Sequence, residues 1–165
     1  MPSSLSFMQS ISEPSPDNGY LNQHAELLIS SYLHWTGKDL VKQEQSEVDT
    51  YRNLFNAPYG IVSHNTEDDP VFNYGNLTAL NVFEMDWSEF TNLASRKSAE
   101  PVNREERERL LACVSKDGFI DDYQGVRISS SGKRFLIEDA VVWNIIDGSG
   151  MYYGQAAVFY KWLEL

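Results

Sequence analysis

The sequence contains one cysteine, Cys113, and three histidines, His24, His34 and His64. A single cysteine excludes an intramolecular disulfide and a cysteine-based zinc site, and it fits a reducing compartment. Basic residues are also scarce, with 13 Lys and Arg against 24 Asp and Glu and a formal net charge of −11. This balance argues against a surface that neutralises phosphates or binds an anionic bilayer. We therefore expect neither nucleic acid nor membrane as a direct partner.

Long apolar runs are missing as well. No stretch approaches the roughly 18 apolar residues that a membrane-spanning helix requires, and the start, MPSSLSFMQS, has neither a basic leader nor a sustained apolar segment. We expect a cytoplasmic protein. With 165 residues, of which 42% are hydrophobic, the chain is long enough for one compact core.

The first third of the chain is a polar start followed by helical spacing. Residues 1–19 are rich in serine and proline, so we predict a disordered tail. In residues 22–36 the apolar side chains recur at helical intervals, and Gly37 supplies a left-handed stop. A short second helix is expected in VDTYRNLFNA, before Pro58. We assign the tail, an N-terminal helical segment at 20–57 and a core at 58–165, with 20–165 as one domain.

The pattern then changes to strands and short helices. YGIVSH and PVFNYGN, separated by the polar NTEDD, predict a β-hairpin. Asn76 can cap a short helix, and a second one starts in DWSEF. Asn103, with Glu106 three residues on, predicts the start of a longer helix in which Leu110, Leu111 and Val114 form the buried stripe. Cys113 lies beside that stripe, which favours inert packing.

The last third predicts three strands joined by short turns at SSGK and DGSG, an antiparallel meander. Strict alternation in the middle strand divides its side chains between two faces. One face would carry Phe135, Ile137, Asp139, Val141, Trp143 and Ile145, and the other Leu136, Glu138, Ala140, Val142, Asn144 and Ile146.

Several long stretches resemble a known family. FNYGNLTALNVFEMDWSEF resembles the strand-to-helix crossing of PAS domains, and GKRFLIEDAVVWNIIDGSGMYYGQAAVF resembles their closing hairpin. More narrowly, SHNTEDDPVFNYGNLTALNVFEMDWSEF, SRKSAEPVNREERERLL and DDYQGVRISSSGKRFLIEDAVVWN resemble the stand-alone bacterial members of the MEKHLA domain family. That PAS-related family also occurs at the C-terminus of plant class III homeodomain–leucine-zipper regulators. The resemblance extends over roughly Asn22 to Trp162.

This resemblance implies an α+β fold, a PAS-like five-stranded antiparallel sheet with helices over one face and an N-terminal helical extension. It also implies a sensory or regulatory role, because PAS relatives sense light, oxygen, redox state or small molecules in a pocket between sheet and helices. They also dimerise or bind partners. Neither the ligand nor the regulated process follows from it.

The resemblance also defines which cofactors to test. A flavin photosensor would need its adduct-forming cysteine in the segment LASRKSAEP, which has none. A PAS-type haem sensor usually takes its axial histidine from the longer helix or nearby, and no histidine follows His64. A covalent flavin adduct and haem are therefore disfavoured, while non-covalent flavin binding stays open.

Metal sites are disfavoured too. His24 and His34 are ten residues apart on one helix, which does not bring both onto one face as a metal pair requires. His64 could use the acidic turn at Glu67, Asp68 and Asp69, although such turns are more often solvated.

An enzyme needs a positioned acid, base or nucleophile. Ser95 or Ser98 with Lys97 forms a Ser/Lys neighbourhood, but no nucleophile elbow accompanies it. The other candidates are strand carboxylates that could form a pair, and they are equally suited to cross-strand charge pairs. They are Asp121, Asp122, Glu138 and Asp139.

The candidate pocket follows from the PAS-like arrangement, in which the inner face of the sheet meets residues 87–107. The proposed lining is aromatic and charged, and its residues are Tyr74, Trp87, Phe90, Arg96, Ser98, Glu100, Trp143 and Phe159. An unpaired Arg96 pointing inward would need an anionic ligand group. We predict instead that Arg96 forms a salt bridge with a carboxylate and that Ser95 or Ser98 caps a turn.

The sequence therefore predicts a non-catalytic sensory module that binds a small molecule or a protein partner. A homodimer could form through the helix at residues 22–36, although that helix could equally cover its own sheet. The alternative is a small enzyme that uses a carboxylate pair in the PAS-like cavity.

Overall fold

The structure is a computed structural model that describes residues 11–165, except for the side chains of residues 101–103. The helices are α1 (Asn22–Thr36), α2 (Glu47–Phe55), α3 (Leu77–Phe83), α4 (Trp87–Phe90) and α5 (Pro101–Asp117), with single-turn 3-10 segments at Pro16–Asn18 and Ser95–Ser98. The strands are β1 (Gly60–His64), β2 (Phe72–Gly75), β3 (Phe119–Ile128), β4 (Arg134–Ile146), β5 (Tyr152–Phe159) and β6 (Lys161–Glu164).

Local signals account for most helix ends. Helix α1 has the predicted bounds and stops at Gly37, whose backbone is left-handed at φ 72° and whose N–H donates to the Leu33 carbonyl. Helix α5 begins earlier than predicted. Because Pro101 occupies its first turn, where a missing N–H costs nothing, the chain enters the helix before Asn103. The predicted capping box at Asn103 is therefore wrong.

The sheet confirms the predicted PAS-like fold class. Five antiparallel strands follow the order β2-β1-β5-β4-β3. The predicted last strand is interrupted at Tyr160, and its final part, β6, pairs with the first half of β4. Short helices and α5 lie over one face of the sheet, as expected.

The N-terminal helix covers the other face of the same sheet. The indole N–H of Trp143 on β4 donates to Ser31 Oγ on α1 at 2.9 Å. Trp35 of α1 likewise donates to the Asn144 carbonyl at 2.9 Å. The apolar face of α1 is therefore used within the chain.

Strand β4 departs from strict alternation at Asp139. Asp139 has a left-handed backbone at φ 51°, and Asp122 on the neighbouring β3 has φ 55°. Both lie where the β3–β4 register shifts, so the ladder contains bulges. Short polar residues tolerate this conformation better than branched ones. The predicted division of β4 into two continuous faces is therefore wrong beyond Glu138.

Part of the predicted tail contacts the core. Residues 16–18 form a turn of 3-10 helix, and the Ile11 carbonyl accepts a hydrogen bond from Trp87 Nε1 at 2.6 Å. Residues 11–19 therefore differ from the predicted disordered tail, while residues 1–10 lie outside the described residues.

Asn76 joins three elements through one buried side chain. Its Oδ1 accepts from the N–H groups of Ile61 at 3.0 Å and Ala79 at 3.1 Å. Its Nδ2 donates to the carbonyls of Leu54 at 3.2 Å and Tyr59 at 2.8 Å. The predicted helix cap thus also ties α2 and β1 to α3.

We expect Asn76→Ala to lower the free energy of unfolding by about 3–5 kcal/mol, because it leaves several buried backbone groups without partners. Urea unfolding at neutral pH measures the change. The matched control is Asn81→Ala, an exposed residue of the same helix, for which we expect a change within about 0.5 kcal/mol. A loss below about 1 kcal/mol for Asn76→Ala would contradict this role.

His24 links α1 to the hairpin. Its Nε2 lies 2.9 Å from Ser63 Oγ, and Ser63 Oγ donates to Asn73 Oδ1 at 2.5 Å. Because the serine hydrogen is used by Asn73, Nε2–H of His24 is the donor to Ser63. Burial lowers the pKa of His24 to about 4, so the ring is neutral in the folded protein at neutral pH.

This shift predicts a pH dependence of stability. Between pH 6.5 and pH 4 the unfolded chain binds more protons at His24 than the folded chain, so stability falls as pH falls. We expect His24 to account for about 3 kcal/mol of that loss. His24→Gln should flatten the plot of unfolding free energy against pH over this range, whereas His34→Gln, an exposed histidine of the same helix, serves as the control. Equal slopes in the wild type and His24→Gln would refute the assignment.

Candidate functional site

The candidate site is a cavity of about 70 Å³ between α5 and the inner face of the sheet. Its walls are mostly apolar, with a few buried polar groups. The lining residues are Val62, Ser63, His64, Phe72, Phe83, Ser98, Arg107, Leu110, Leu111, Val114, Ile120, Tyr123, Arg127, Ile137, Ala140, Val142, Gln155, Ala156, Ala157 and Phe159.

Strand pairing arranges the floor of the cavity into an apolar row and a polar row. Ala157 on β5 lies between Val62 of β1 and Val142 of β4 and forms the apolar row. Gln155 lies two residues away on β5, between His64 of β1 and Asn144 of β4, and forms the polar row. The two rows share one face because side chains two apart on a strand point the same way.

The polar row also fixes the end of helix α5. Asn144 Nδ2 donates to the Val114 carbonyl at 2.9 Å, and Gln155 Nε2 donates to the Leu111 carbonyl at 3.0 Å. Gln155 Nε2 also lies 3.1 Å from Asn144 Oδ1. These bonds tie the C-terminal half of α5 to β4 and β5, in addition to the backbone bond that the Val114 carbonyl accepts from the Gly118 N–H.

Helix α5 presents one stripe to the cavity, formed by Arg107, Leu110, Leu111 and Val114. These positions are three, four and seven residues apart, which is the spacing of one helix face. The predicted apolar stripe therefore faces the cavity and continues into a charged residue. Cys113 is exposed on the other side of the helix, so its predicted packing is wrong.

Arg107 is the most unusual residue of the site because its charge is buried, with 5% of the residue exposed. Nη2 donates to Ser95 Oγ, and Nη1 donates to Glu108 Oε1 at 2.9 Å. The Glu108 side chain is 62% exposed, so its charge is largely screened by water. Burial, with the nearby charge of Arg127, lowers the pKa of Arg107 to about 10, and the guanidinium remains charged at neutral pH.

His64 supplies a buried ring nitrogen without a partner. Nδ1 lies 3.0 Å from the Asn65 carbonyl, whereas Nε2 has no hydrogen-bond partner among the described residues. Since a carbonyl only accepts, Nδ1 carries the hydrogen and Nε2 of the neutral ring is an acceptor. Burial lowers the pKa of His64 and the charge of Arg107 adds to this shift, whereas the bond to Asn65, the neighbouring Gln155 side chain and the charge of Glu108 partly offset it.

A second guanidinium lies beside the cavity on β3. Arg127 Nη2 donates to Tyr123 Oη at 2.7 Å, and its guanidinium carbon lies 5.7 Å from the centre of the Tyr123 ring. Among the described lining residues there is no Asp or Glu. The cavity is therefore locally basic in an acidic chain.

Of the eight predicted lining residues, Ser98 and Phe159 line the cavity. Three others form an aromatic cluster outside it. Tyr74 contacts His24 and Trp87, and Phe90 stacks on the back of Phe72 with ring centres 4.1 Å apart.

The remaining three predicted residues lie elsewhere. Arg96 is 41% exposed and forms the predicted salt bridge, from Nε to Asp69 Oδ1 at 3.0 Å. Glu100 pairs with Arg134 at 2.5 Å. Trp143 lies on the opposite face of the sheet, against α1, because the bulge at Asp139 reverses the alternation.

The segment Ser95–Ser98 forms one edge of the cavity. Ser98 Oγ donates to the Ser95 carbonyl at 2.7 Å and closes the 3-10 turn, which agrees with the predicted turn cap. Ser95 is buried under Arg107. These serines hold the turn and the guanidinium, and Lys97 is exposed.

The predicted carboxylate candidates lie away from the cavity. Asp121 and Asp122 are exposed, and Asp139 pairs with Lys161 at 3.3 Å on the surface. Over the described part of the chain, no three His, Cys, Asp or Glu side chains come together as a candidate metal site. Within residues 11–165, no helix has the length and apolarity to cross a membrane.

Sequence reasoning missed Arg107 and His64. Arg107 had a usable signal, because it continues the stripe of Leu110, Leu111 and Val114 by one helical turn. His64 had a weaker one, since β1 is buried on both faces and only its pairing with Gln155 shows which face the ring occupies.

Comparisons with known proteins agree with this architecture. The family model described as MEKHLA domain matches residues 22–164. The homeobox-leucine zipper protein HOX29 of Oryza sativa subsp. indica is 24% identical over 126 residues, which are 74% of this chain and 15% of that protein. HOX32 of the same subspecies is 23% identical over 133 residues, 80% of this chain and 16% of that protein. The chain thus spans about one sixth of the length of these plant relatives.

Solved structures show the same fold at low identity. A PAS domain from Colwellia psychrerythraea superposes with a TM-score of 0.58 at 11% identity, over 67% of this chain and 91% of that one. A light-oxygen-voltage domain studied with a flavin analogue gives 0.57 at 14% identity, over 71% and 84%. From the match over residues 22–164 and the PAS-like sheet, the chain belongs to the MEKHLA domain family.

Proposed function

We propose that this chain is a non-catalytic sensory module that binds a small molecule in the cavity between α5 and the sheet. The observation that carries the proposal is the cavity itself, whose apolar walls enclose a few convergent polar groups. Small-molecule sites have this composition, with polar groups that fix the orientation of a ligand. The family resemblance to PAS sensors supports the same location.

Binding without chemistry is favoured by the positions of the acidic residues. A carboxylate pair in the cavity would be needed for the enzyme alternative, and the described lining has none. Asp139 has a structural role instead, because its left-handed backbone forms the bulge of β4.

A small molecule is favoured over a protein partner or a dimer through α1. The cavity lies beneath α5 and has a volume of only about 70 Å³, which suits a small molecule better than a protein surface. Helix α1 buries Ala25, Leu28, Ile29 and Tyr32 against its own chain, which leaves its apolar face unavailable to a second copy.

The size of the cavity disfavours a flavin, and its described lining excludes a cysteinyl adduct. The cavity volume of about 70 Å³ is well below the 300–1,000 Å³ typical of sites for drug-sized ligands. No cysteine lies among the described lining residues to form an adduct. Haem is larger still, so we propose a ligand of only a few heavy atoms. We also propose a cytoplasmic location, in keeping with the exposed free thiol of Cys113.

Extraction of the purified protein tests the proposal. We expect the wild-type chain, denatured after purification, to release a small molecule that mass spectrometry detects at close to one per chain. Ala157→Leu should reduce that amount at least fivefold, because the added carbons project from the cavity floor. Ala112→Leu, the same change at an exposed position on α5, is the matched control and should retain the wild-type amount.

Far-UV circular dichroism and thermal unfolding establish that both variants are folded. If Ala157→Leu does not fold, Ala157→Val provides the smaller change with the same expected direction. Equal release from wild type and Ala157→Leu, or no release from any of the proteins, would contradict binding in this cavity.

A further inference from the structure

We infer that the cavity selects a small organic carboxylate that also carries a hydroxyl group, with Arg107 holding the carboxylate and His64 accepting from the hydroxyl. This inference rests on the proposed function, and it adds the chemical class of the ligand. Within the described part of the chain, Arg107 lacks a buried counter-charge and His64 Nε2 lacks a hydrogen-bond donor.

Arg107 supplies the anion requirement. A guanidinium has five N–H donors, and its two hydrogen bonds with described side chains, to Ser95 and Glu108, use two of them. The ion pair it forms with a described residue is with a mostly exposed carboxylate, so little of the buried charge is compensated. A carboxylate suits the remaining N–H groups, because planar guanidinium and carboxylate groups form paired hydrogen bonds.

His64 supplies the second requirement. The hydrogen bond to Asn65 places the ring hydrogen on Nδ1, so Nε2 is an acceptor that lies buried in the cavity wall. A buried acceptor without a donor costs roughly 1–3 kcal/mol. A simple carboxylate offers no donor, whereas a hydroxyl on the same ligand does.

The charges around the cavity also favour an anionic ligand. Arg127 on β3 adds a second positive charge close enough to lower the pKa of Arg107. The acidic residues that act on Arg107, Glu108 and Asp69, lie outside the lining. A neutral ligand would leave the two guanidinium groups repelling each other, whereas an anion reduces that repulsion.

The size and the apolar row limit the rest of the ligand. A cavity of about 70 Å³ leaves room for only a few heavy atoms. The row formed by Val62, Ala157 and Val142 offers contact to a methyl or methylene group. Lactate has all three features, a carboxylate, an adjacent hydroxyl and a methyl group, and it is therefore the probe for the experiment.

The experiment compares lactate with two close analogues by NMR titration of the ¹⁵N-labelled full chain. Lactamide replaces the carboxylate with a neutral amide, and propionate lacks the hydroxyl. We expect lactate to shift the amide signals of cavity residues such as Ala157 and Leu111, with a Kd at least tenfold lower than that of either analogue. Inorganic phosphate is titrated separately as an anion without an apolar part.

Variants assign the two interactions. Arg107→Met should raise the Kd for lactate at least tenfold and leave the Kd for lactamide unchanged. Arg109→Met, at an exposed position of the same helix, is the matched control and should bind lactate like the wild type. His64→Leu should abolish the difference between lactate and propionate. Arg107→Gln serves as the second variant if Arg107→Met does not give a folded spectrum.

The outcomes separate this inference from the proposed function. If lactamide binds at the cavity as tightly as lactate, or Arg107→Met binds lactate like the wild type, the carboxylate assignment is wrong while binding in the cavity stands. Tighter binding of phosphate than of lactate also overturns it. If no probe shifts a cavity signal and the purified protein releases no ligand, both the inference and the proposed function fail.

Discussion

The left-handed backbone of Asp139 is the constraint on which the two-sided arrangement of the sheet depends. Before the bulge, Ile137 faces the cavity, and after it Ala140 and Val142 do so, although strict alternation would have placed Ile137 with Val141. Trp143 is thereby directed to the opposite face, where it reaches Ser31 on α1. One backbone irregularity thus provides both the cavity floor and the docking site of the N-terminal helix.

Arg107 has a structural role through its hydrogen bond to Ser95, and the proposed binding role uses the same side chain. Transfer of a guanidinium from water to a cavity is unfavourable unless hydrogen bonds and a counter-charge compensate for it. Ser95 provides a hydrogen bond, but Glu108 is exposed and neighbouring Arg127 is repulsive. Replacing a buried charge with a well-packed apolar side chain is often neutral or stabilising, so stability alone does not account for an arginine at this position.

The sequence predicts the elements and their order well, because each depends on local signals. The stop of α1 at Gly37 and the cap of α3 by Asn76 are local effects of backbone conformation and side-chain hydrogen bonding. The sequence also predicted that Arg96 forms a salt bridge with a carboxylate. It did not identify the partner, Asp69, which lies 27 residues away in the chain. Periodicity alone could not locate the bulge, because Asp139 in a strand is equally consistent with a charge on a solvated face.

The cavity was harder to predict for a related reason. Which side chains line it depends on register, and register depends on bulges in two strands. Trp143 was therefore assigned to the wrong face, and Arg96 was considered as the inward guanidinium when Arg107 holds that position. The sequence already suggested that an inward-pointing guanidinium would need an anionic partner. Only the structure shows that Arg107 is the buried guanidinium.

The same contacts indicate how binding could be transmitted. Arg96 and Glu100, near the two ends of the Ser95–Ser98 turn, form salt bridges that are largely exposed and therefore weak. The stronger contact of the turn is on its buried side, where Arg107 donates a hydrogen bond to Ser95. An anion between Arg107 and Arg127 would add hydrogen bonds to a guanidinium that already holds Ser95, so it would hold α5, β3 and this turn together. With the proposed ligand, a change in cavity occupancy would consequently reach the surface at Ser95–Ser98.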